Sequence, residues 1–190
     1  MRFLLKIMLL FITETNVIPY FGDDPMIRLA TAEDAPLVYQ IMMSAYAEYR
    51  SLPAPSGALR ETESAIKASL QNGSEQALLY YEGSVPVGSV RFKTDGDSLY
   101  FCRLSVCPEA RGRGVAKAML AWLENYANTH GLKKIWCKVR ASIPRNVRLY
   151  QSAGFRICGE EVKFHPNGIP LSIIIMEKEI NQQIRQGNPY

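Results

Sequence analysis

The spacing of apolar residues changes several times along the chain, and each change predicts a new element. Residues 27–30 predict a short strand, and apolar side chains then recur at helical spacing from Leu37 to Tyr46. A second, shorter helix is predicted over residues 61–70. The proline- and glycine-containing segment from Pro53 to Gly57 breaks the chain between the two helices. We expect this segment to form a lip over a binding site.

In the middle of the chain, the pattern of apolar and polar residues changes to a period of two. Residues 77–82, 85–93 and 98–106 predict strands separated by tight turns, which is typical of an antiparallel meander. Residues 112–129 predict a helix and residues 133–140 (KKIWCKVR) predict a strand. A strand, a helix and a further strand in this order predict that strands 98–106 and 133–140 are parallel, with a right-handed crossover.

The last third predicts a short helix over residues 145–153 and two strands, 155–164 and 170–180, joined by a His-Pro-Asn-Gly turn. The resulting order β-αα-βββ-α-β-α-ββ predicts an α/β (α+β) protein with a mixed, mostly antiparallel central sheet flanked by helices. We place a single domain at residues 26–180, an N-terminal extension of unclear role at 1–25 and a C-terminal tail at 181–190.

The N-terminal apolar run FLLKIMLLFI is about half as long as a membrane span and is interrupted by Lys6. No small-x-small cleavage site follows it, which argues against a secretory signal. We therefore expect a cytoplasmic protein without stable membrane insertion.

Composition narrows the function classes further. Of 190 residues, 47% are hydrophobic and 21% are charged, which suits a globular core, and the net charge of +4 is too small to indicate nucleic-acid binding. The four cysteines lack CxxC spacing and histidine partners, so we expect no metal site. Each cysteine lies in or beside a predicted strand, and we expect buried, unreactive thiols.

The most informative segment is LSVCPEARGRGVA, residues 104–116, which runs from the end of a predicted strand directly into a predicted helix. Gly112 and Gly114 allow positive φ and the close approach of a ligand. The first amides of a helix lack internal partners, and the helix dipole adds to their attraction for an anion. The segment predicts a phosphate or pyrophosphate site; alternatively, the glycines only open the helix.

Spacing distinguishes this turn from two well-known nucleotide-binding motifs. A Walker A loop needs Gly-Lys followed by Ser or Thr, which does not occur in the sequence. A Rossmann motif needs a third Gly or Ala where Lys117 stands, and an acidic residue near the end of the next strand, where KKIWCKVR has none. Dinucleotide binding is therefore disfavoured.

Arg111, Gly114 and Ala116 form an R-x-x-G-x-A pattern, and Asn146 precedes a Leu-Tyr-x-x-x-Gly-Phe segment that ends at Phe155. The two motifs, in this order and separated by a helix and a strand, resemble those of the GCN5-related N-acetyltransferase (GNAT) superfamily. The element order from residue 26 to about 180 is similar to that family throughout. The resemblance implies the GNAT acyl-CoA N-acyltransferase fold, a splayed pair of parallel strands and acetyl-CoA as co-substrate.

The resemblance also implies roles for individual residues. Amides of residues 111–116 would hold the pyrophosphate, and Asn146 would contact the pantetheine arm. The amide near Val106 would stabilise the oxyanion, and the Tyr150 phenol would protonate the departing thiolate. The implied cofactor-binding residues are Leu104, Ser105, Val106, Arg111, Gly112, Arg113, Gly114, Val115, Ala116, Asn146 and Tyr150, of which Val106 and Tyr150 are also catalytic.

Some of these residues have purely structural alternatives. Tyr150 could pack between a helix and the sheet without a chemical role, and Asn146 could cap the short helix. Residues 125–159 contain seven Lys or Arg and no acidic residue. This positive charge suits an anionic cofactor, or it forms a solvated basic face. The spacing of Met119 and Trp122 indicates core positions.

The acceptor side departs from the family pattern, because residues 99–106 contain no Asp or Glu that could serve as a base. Glu48 and Glu61, which flank the proline-containing loop, are candidate bases, and solvent is the alternative. If Arg91 and Arg103 face the acceptor pocket together, the acceptor carries a carboxylate or phosphate. His165 is a candidate for the rim of that pocket, and His130 is a candidate helix-end cation.

The sequence therefore predicts an N-acetyltransferase that moves an acetyl group from acetyl-CoA directly to a primary amine of a small molecule. A protein or peptide acetyltransferase is one alternative, and a non-catalytic acyl-CoA-binding regulatory module is another. The expected partners are acetyl-CoA and an amine acceptor, not nucleic acid, and a homodimer is compatible with these features.

Overall fold

The computed structural model describes residues 26–180, so the predicted extension at 1–25 and tail at 181–190 lie outside the described residues. The elements follow the predicted order. Their bounds are β1 Met26–Leu29, α1 Ala35–Tyr46, α2 Glu63–Gln71, β2 Gln76–Glu82, β3 Val85–Asp95, β4 Ser98–Val106, α3 Val115–Thr129, β5 Lys134–Arg140, α4 Pro144–Ser152, β6 Arg156–Phe164 and β7 Pro170–Glu179.

The strands form one sheet in the order β1-β2-β3-β4-β5-β7-β6. Neighbouring strands are antiparallel except β4 and β5, which are parallel. The predicted fold class, the β2-β3-β4 meander and the parallel pair are thereby confirmed.

Local chemistry explains where the first two helices begin. The Thr31 amide donates to Asp34 Oδ2 at 2.8 Å just before α1, and Arg28 Nη1 donates to the same oxygen at 2.6 Å. At α2, the Thr62 hydroxyl accepts from the Ala65 amide at 3.2 Å, which satisfies a donor that the helix leaves unpaired. The first contact closes the 3-10 turn Ala32–Asp34 that leads into α1, and the Thr62 contact caps the start of α2.

Helices α1 and α3 both contact β3 and β4 and bury their apolar stripes. Met119 is fully buried and Trp122 is packed against the core, as predicted. The close approach of α3 to β3 requires Gly88, where a Cβ atom would lie 2.8 Å from Val115 Cγ1. This contact sets the position of the first turn of α3 relative to the sheet.

The prediction of buried thiols is correct for Cys107 and Cys137 and wrong for Cys158. Cys158 is exposed because β6 is an edge strand of the sheet. Cys102 is partly buried, and burial raises the pKa of its thiol to about 11, which keeps it protonated. None of the helices described between residues 26 and 180 is long and apolar enough to cross a membrane.

Candidate functional site

Strands β4 and β5 pair only at their beginnings and then separate. The pairing joins residues 98–101 to residues 134–137, after which the second half of β4 continues to pair with β3. A β-bulge coincides with the separation, because the register with β3 shifts between Ser89 and Arg91 and Arg103 has a φ of +54°. Bulges redirect the strand that carries them. The result is a cleft between the carboxyl-terminal halves of β4 and β5.

The amide of Val106 is directed towards this cleft. The next amide, that of Cys107, donates to the Val87 carbonyl on the β3 side at 2.9 Å. Successive amides of a strand point to opposite sides, so the Val106 amide points to the side from which β5 has diverged. This amide is available to an acceptor in the cleft.

The turn that leads from β4 into α3 exposes a row of backbone donors. Gly112 and Gly114 have φ values of +79° and +87°, and Gly114 is the N-cap of α3. Among the described residues, no amide from Gly112 to Lys117 donates to a protein acceptor; the first paired amide is that of Ala118, which donates to the Gly114 carbonyl at 2.9 Å. A Cβ atom at either glycine would meet nothing within 4 Å. The turn is therefore an open cradle of amides at a helix N-terminus, where an anion is stabilised.

This cradle forms one wall of a cavity of about 430 Å³. Leu104, Val106, Arg111, Gly112, Gly114, Val115, Ala116, Asn146 and Tyr150 line it, which brings together nine of the predicted cofactor residues. The structure does not bring the side chains of Ser105 and Arg113 to it. Ser105 is buried and donates to the Arg103 carbonyl, and Arg113 pairs with Glu82.

Helix α4 contributes Asn146 and Tyr150 to the same cavity. The alternative role of Asn146 as a helix cap is wrong, because Ile143 is the N-cap of α4 and Asn146 lies within the helix. The Tyr150 ring is buried and packs edge-on against Phe101, with ring centroids 5.5 Å apart. Packing is therefore part of its role.

Within residues 26–180 the Tyr150 hydroxyl forms no hydrogen bond. Every side-chain nitrogen or oxygen atom there that is inaccessible to solvent does have a hydrogen-bond partner. The hydroxyl is thus reached from a cavity. Burial raises the pKa of Tyr150 well above its usual value of 10.0. The phenol stays protonated and can act as a proton donor.

A polar cluster closes one side of this 430 Å³ cavity. The Glu48 carboxylate pairs with Arg111 at 3.0 Å and with Arg145, and the same Arg111 donates to the Ala45 carbonyl at 3.0 Å. The hydrogen bond from Arg145 and the charge of Arg111 hold the pKa of Glu48 below its usual range. Glu48 is therefore an ionised structural partner of two arginines rather than a well-placed base.

A second cavity, of about 370 Å³, lies on the other side of Tyr150. Four side chains line both cavities: Tyr46, Tyr49, Asn146 and Tyr150. We call the two spaces the cofactor-side cavity and the acceptor-side cavity. The two cavities therefore adjoin at these four side chains.

The acceptor-side cavity is strongly basic. Its charged lining side chains are Arg60, Arg103, Lys138, Arg140 and Lys163, joined by His165, and no Asp or Glu lines it among the residues that the structure describes. Arg91 does not line it, so the hypothesis that Arg91 and Arg103 face the pocket together is wrong. Arg91 lies behind the wall, held by Glu61 and Glu75, and Glu61 also holds Arg103.

Contacts across the cavity hold its walls together. Asn167 in the β6–β7 turn donates to the Pro53 carbonyl at 2.9 Å, and Arg60 lies 3.2 Å from His165 Nε2. Arg140 donates to the Pro55 carbonyl at 2.9 Å. His165 thus lies at the rim of this cavity, and the proline-containing loop is a wall of it. His130 lies elsewhere, at the end of α3, where it contacts the Tyr126 carbonyl.

Sequence reasoning missed several lining residues. Tyr46 ends the predicted apolar stripe of α1 and Tyr49 follows it; neither was assigned to a site, although both line the two cavities. Arg140 and Arg145 belong to the basic stretch 125–159, but only part of that stretch faces the cavities. Lys133, Lys134 and Arg156 instead pair with acidic residues on the surface. The position of Arg140 at the end of the parallel strand β5 is a signal that could have identified it.

Comparisons with solved structures agree with this fold. The ribosomal-protein-S18-alanine N-acetyltransferase from Escherichia coli is similar with a TM-score of 0.68 and 21% identity, covering 88% of this chain and 99% of that chain. The yncA protein from Salmonella typhimurium, solved with its cofactor acetyl-CoA, has a TM-score of 0.68 and 18% identity, covering 83% of this chain and 95% of that chain. At these identities the likeness concerns the fold.

Sequence comparisons extend the agreement to the family. The uncharacterized N-acetyltransferase YjgM of Escherichia coli (strain K12) is 26% identical over 146 residues, which cover 74% of this chain and 85% of the relative. The model of the acetyltransferase (GNAT) family matches residues 38–155, which is more than half of the chain. The chain therefore belongs to the GNAT family of acetyltransferases and is an acetyl-CoA-dependent N-acetyltransferase.

Proposed function

We propose that this enzyme acetylates the primary amine of a small molecule, with acetyl-CoA in the cofactor-side cavity and the amine in the acceptor-side cavity. The observation that carries the proposal is the row of amides from Gly112 to Lys117, which have no protein acceptor among residues 26–180 and lie at a cavity that shares Tyr150 with a second one. The amides suit the anionic diphosphate of acetyl-CoA, and the wall shared by the two cavities suits its reactive thioester.

The cradle suits the diphosphate of the cofactor. Amides at a helix N-terminus bind phosphate oxygens without any side chain, and the open space at Gly112 and Gly114 lets those oxygens approach the backbone. Leu104, Val106 and Asn146 line the path from the cradle to Tyr150. We assign the pantetheine arm to this path.

Acetyl-CoA supplies an activated acyl group on sulfur. The direction of the Val106 amide supports a role in stabilising negative charge on the thioester oxygen while the amine attacks. The new carbon–nitrogen bond replaces the carbon–sulfur bond, and the departing sulfur takes the proton of the Tyr150 hydroxyl. The phenol then regains a proton from solvent.

We assign removal of the amine proton to water. Neither Glu48 nor Glu61 lines the acceptor-side cavity. The cations that do line it disfavour a bound ammonium ion, because like charges stabilise the neutral form and lower the pKa of the amine. The amine therefore reacts as a free base without a carboxylate beside it.

The size and closure of the acceptor-side cavity support a small-molecule acceptor. Its volume of about 370 Å³ lies in the range of small ligand sites, and the β6–β7 turn is hydrogen-bonded to the proline-containing loop across it. An extended protein segment would have to separate these contacts.

The first test combines cofactor binding with a screen of acceptors. Calorimetry measures coenzyme A binding, and thiol release is followed with polyamines, amino acids, aminoglycosides and peptides with free N-termini. Turnover of small amines above that of peptides supports the proposal. Turnover confined to peptides contradicts it, and tight binding without turnover of any amine favours the non-catalytic alternative.

Two glycine variants test the cradle. Gly114→Glu places a carboxylate against the phosphate site, and two like charges about 4 Å apart at an effective dielectric constant of 20 repel by about 4 kcal/mol. We expect coenzyme A affinity to fall by at least about 100-fold. Gly96→Glu is the matched control, because Gly96 also has a positive φ of +60° in open space but lines neither cavity. Equal affinities in the two variants would contradict the cradle assignment.

A further inference from the structure

The acceptor-side cavity contains more positive charge than the neighbouring carboxylates neutralise. Lys138 and Lys163 both contact Glu161, at 2.9 and 3.3 Å. Arg103 shares Glu61 with the buried Arg91. These lining cations therefore have carboxylate partners.

Arg60 and Arg140 are different. Among the residues that the structure describes, neither forms a salt bridge with an Asp or Glu. Arg60 contacts the imidazole of His165, and Arg140 donates to the Ala54 and Pro55 carbonyls, which are neutral. Both line the acceptor-side cavity. Two guanidinium charges thus face the space where the acceptor would bind.

The guanidinium groups converge on one wall of the cavity. A Cβ atom on Gly57 would lie 3.8 Å from Arg60 Nη2 and 3.7 Å from Arg103 Nη2, so Gly57 separates these two groups. Arg140 is anchored to the residues just before Gly57. Burial and the nearby positive charges of Arg103 and Arg60 lower the pKa of Arg140. The charges are close enough to repel one another, and an anion between them would relieve that repulsion.

We propose that the acceptor is an amine that also carries a carboxylate or phosphate, and that Arg60 and Arg140 bind this anionic group. The inference rests on the proposed function, since it concerns the acceptor of that reaction. Guanidinium groups bind carboxylate and phosphate through paired, charge-assisted hydrogen bonds. The acceptor's amine lies towards Tyr150, on the wall that both cavities share, and its anionic group lies towards the proline-containing loop.

This arrangement also disfavours one class of acceptors, the polyamines. A polyamine would place a second ammonium ion among Arg60, Arg103 and Arg140, where like charges repel. Neutral amines would enter without an attractive partner. The order of preference is therefore anionic amines, then neutral amines, then polyamines.

The experiment compares amine acceptors that carry an anionic group with related amines that lack it. Thiol release from acetyl-CoA is measured with the amino acids and their carboxamides, with phosphoethanolamine and ethanolamine, and with putrescine. For at least one matched pair, we expect kcat/KM for the anionic member to exceed that of the neutral member by about tenfold or more. Putrescine should be the poorest acceptor.

Variants of Arg60 locate the effect, because within residues 26–180 the one hydrogen bond of its side chain is to His165, so its loss should leave the fold intact. Arg60→Gln should raise KM for the preferred anionic acceptor by about tenfold, with little change in kcat or in the rate with its neutral analogue. Arg60→Lys, which keeps the charge, should restore most of the preference. Arg156→Gln is the matched control, because Arg156 lines neither cavity.

The outcomes separate this inference from the proposed function. If neutral amines or putrescine react as well as anionic amines, the inference is wrong while the acetyltransferase proposal stands. An anionic preference that survives unchanged in Arg60→Gln also overturns the inference. Absence of turnover with every amine, despite normal coenzyme A binding, overturns both.

Discussion

Tyr150→Phe separates the chemical role of this residue from its packing role. The substitution keeps the ring, which contacts Phe101 and Phe155 at centroid distances of 5.5 and 6.0 Å, and removes only the hydroxyl. Within residues 26–180 that hydroxyl has no hydrogen-bond partner to lose. A net hydrogen bond contributes about 1 kcal/mol, so we expect the free energy of unfolding to change by less than that.

The effect on the reaction should be much larger. A positioned proton donor contributes about 10² to 10⁴ in rate, and a 100-fold loss corresponds to about 2.7 kcal/mol of activation free energy. We expect kcat to fall by about 100-fold, and by at least about tenfold. The affinity for coenzyme A should stay near that of the unmodified enzyme, because the cradle is unchanged.

Thiol release at saturating acceptor gives kcat, calorimetry gives the coenzyme A affinity, and urea unfolding gives the stability. Burial keeps the pKa of Tyr150 well above 10.0, so the unmodified enzyme should not lose activity between about pH 8 and 9.5 through this group. Unaltered kcat in Tyr150→Phe, with normal stability, would refute the assignment of Tyr150 as the proton donor.

Two further predictions concern the scaffold that holds the site. Gly88→Ala places a Cβ atom 2.8 Å from Val115 Cγ1 and 3.1 Å from Met119 Cε, so we expect about 1–3 kcal/mol of destabilisation in urea unfolding; an unchanged midpoint would contradict the close approach of α3. The hydrogen bond from Arg28 lowers the pKa of Asp34 below its usual 3.8, so this pair stabilises the fold above that pH and the contribution is lost as the pH falls through the lowered pKa. Unfolding measured between about pH 7 and 2 should therefore lose about 1 kcal/mol more stability in the unmodified protein than in Asp34→Asn, and equal losses would contradict the role of the pair.

The sequence predicted best those features that are determined by residues close together in the chain. Strand β4, Ser98–Val106, has the predicted bounds because the strand pattern stops at a turn on each side. Helix α3 begins at Val115 rather than at the predicted residue 112, because Gly112 and Gly114 adopt positive φ and form the cradle instead of a helical turn. The cradle could be predicted because one continuous stretch of backbone builds it.

The acceptor side could not be predicted in the same way. Arg60 meets His165 across 105 positions of sequence, and Arg140 meets Ala54 across 86. Which side of the sheet an arginine faces depends on the bulge at Arg103 and on the separation of β4 from β5. Arg91 and Arg103 therefore looked equivalent in sequence, although only Arg103 reaches the cavity.

The most direct test of the account is a crystal structure of the enzyme with coenzyme A. We predict that the diphosphate oxygens lie about 2.7–3.2 Å from amide nitrogens between Gly112 and Lys117, with the sulfur beside the Tyr150 hydroxyl. A diphosphate bound away from these amides, or a sulfur outside the wall shared by the two cavities, would contradict the central claim.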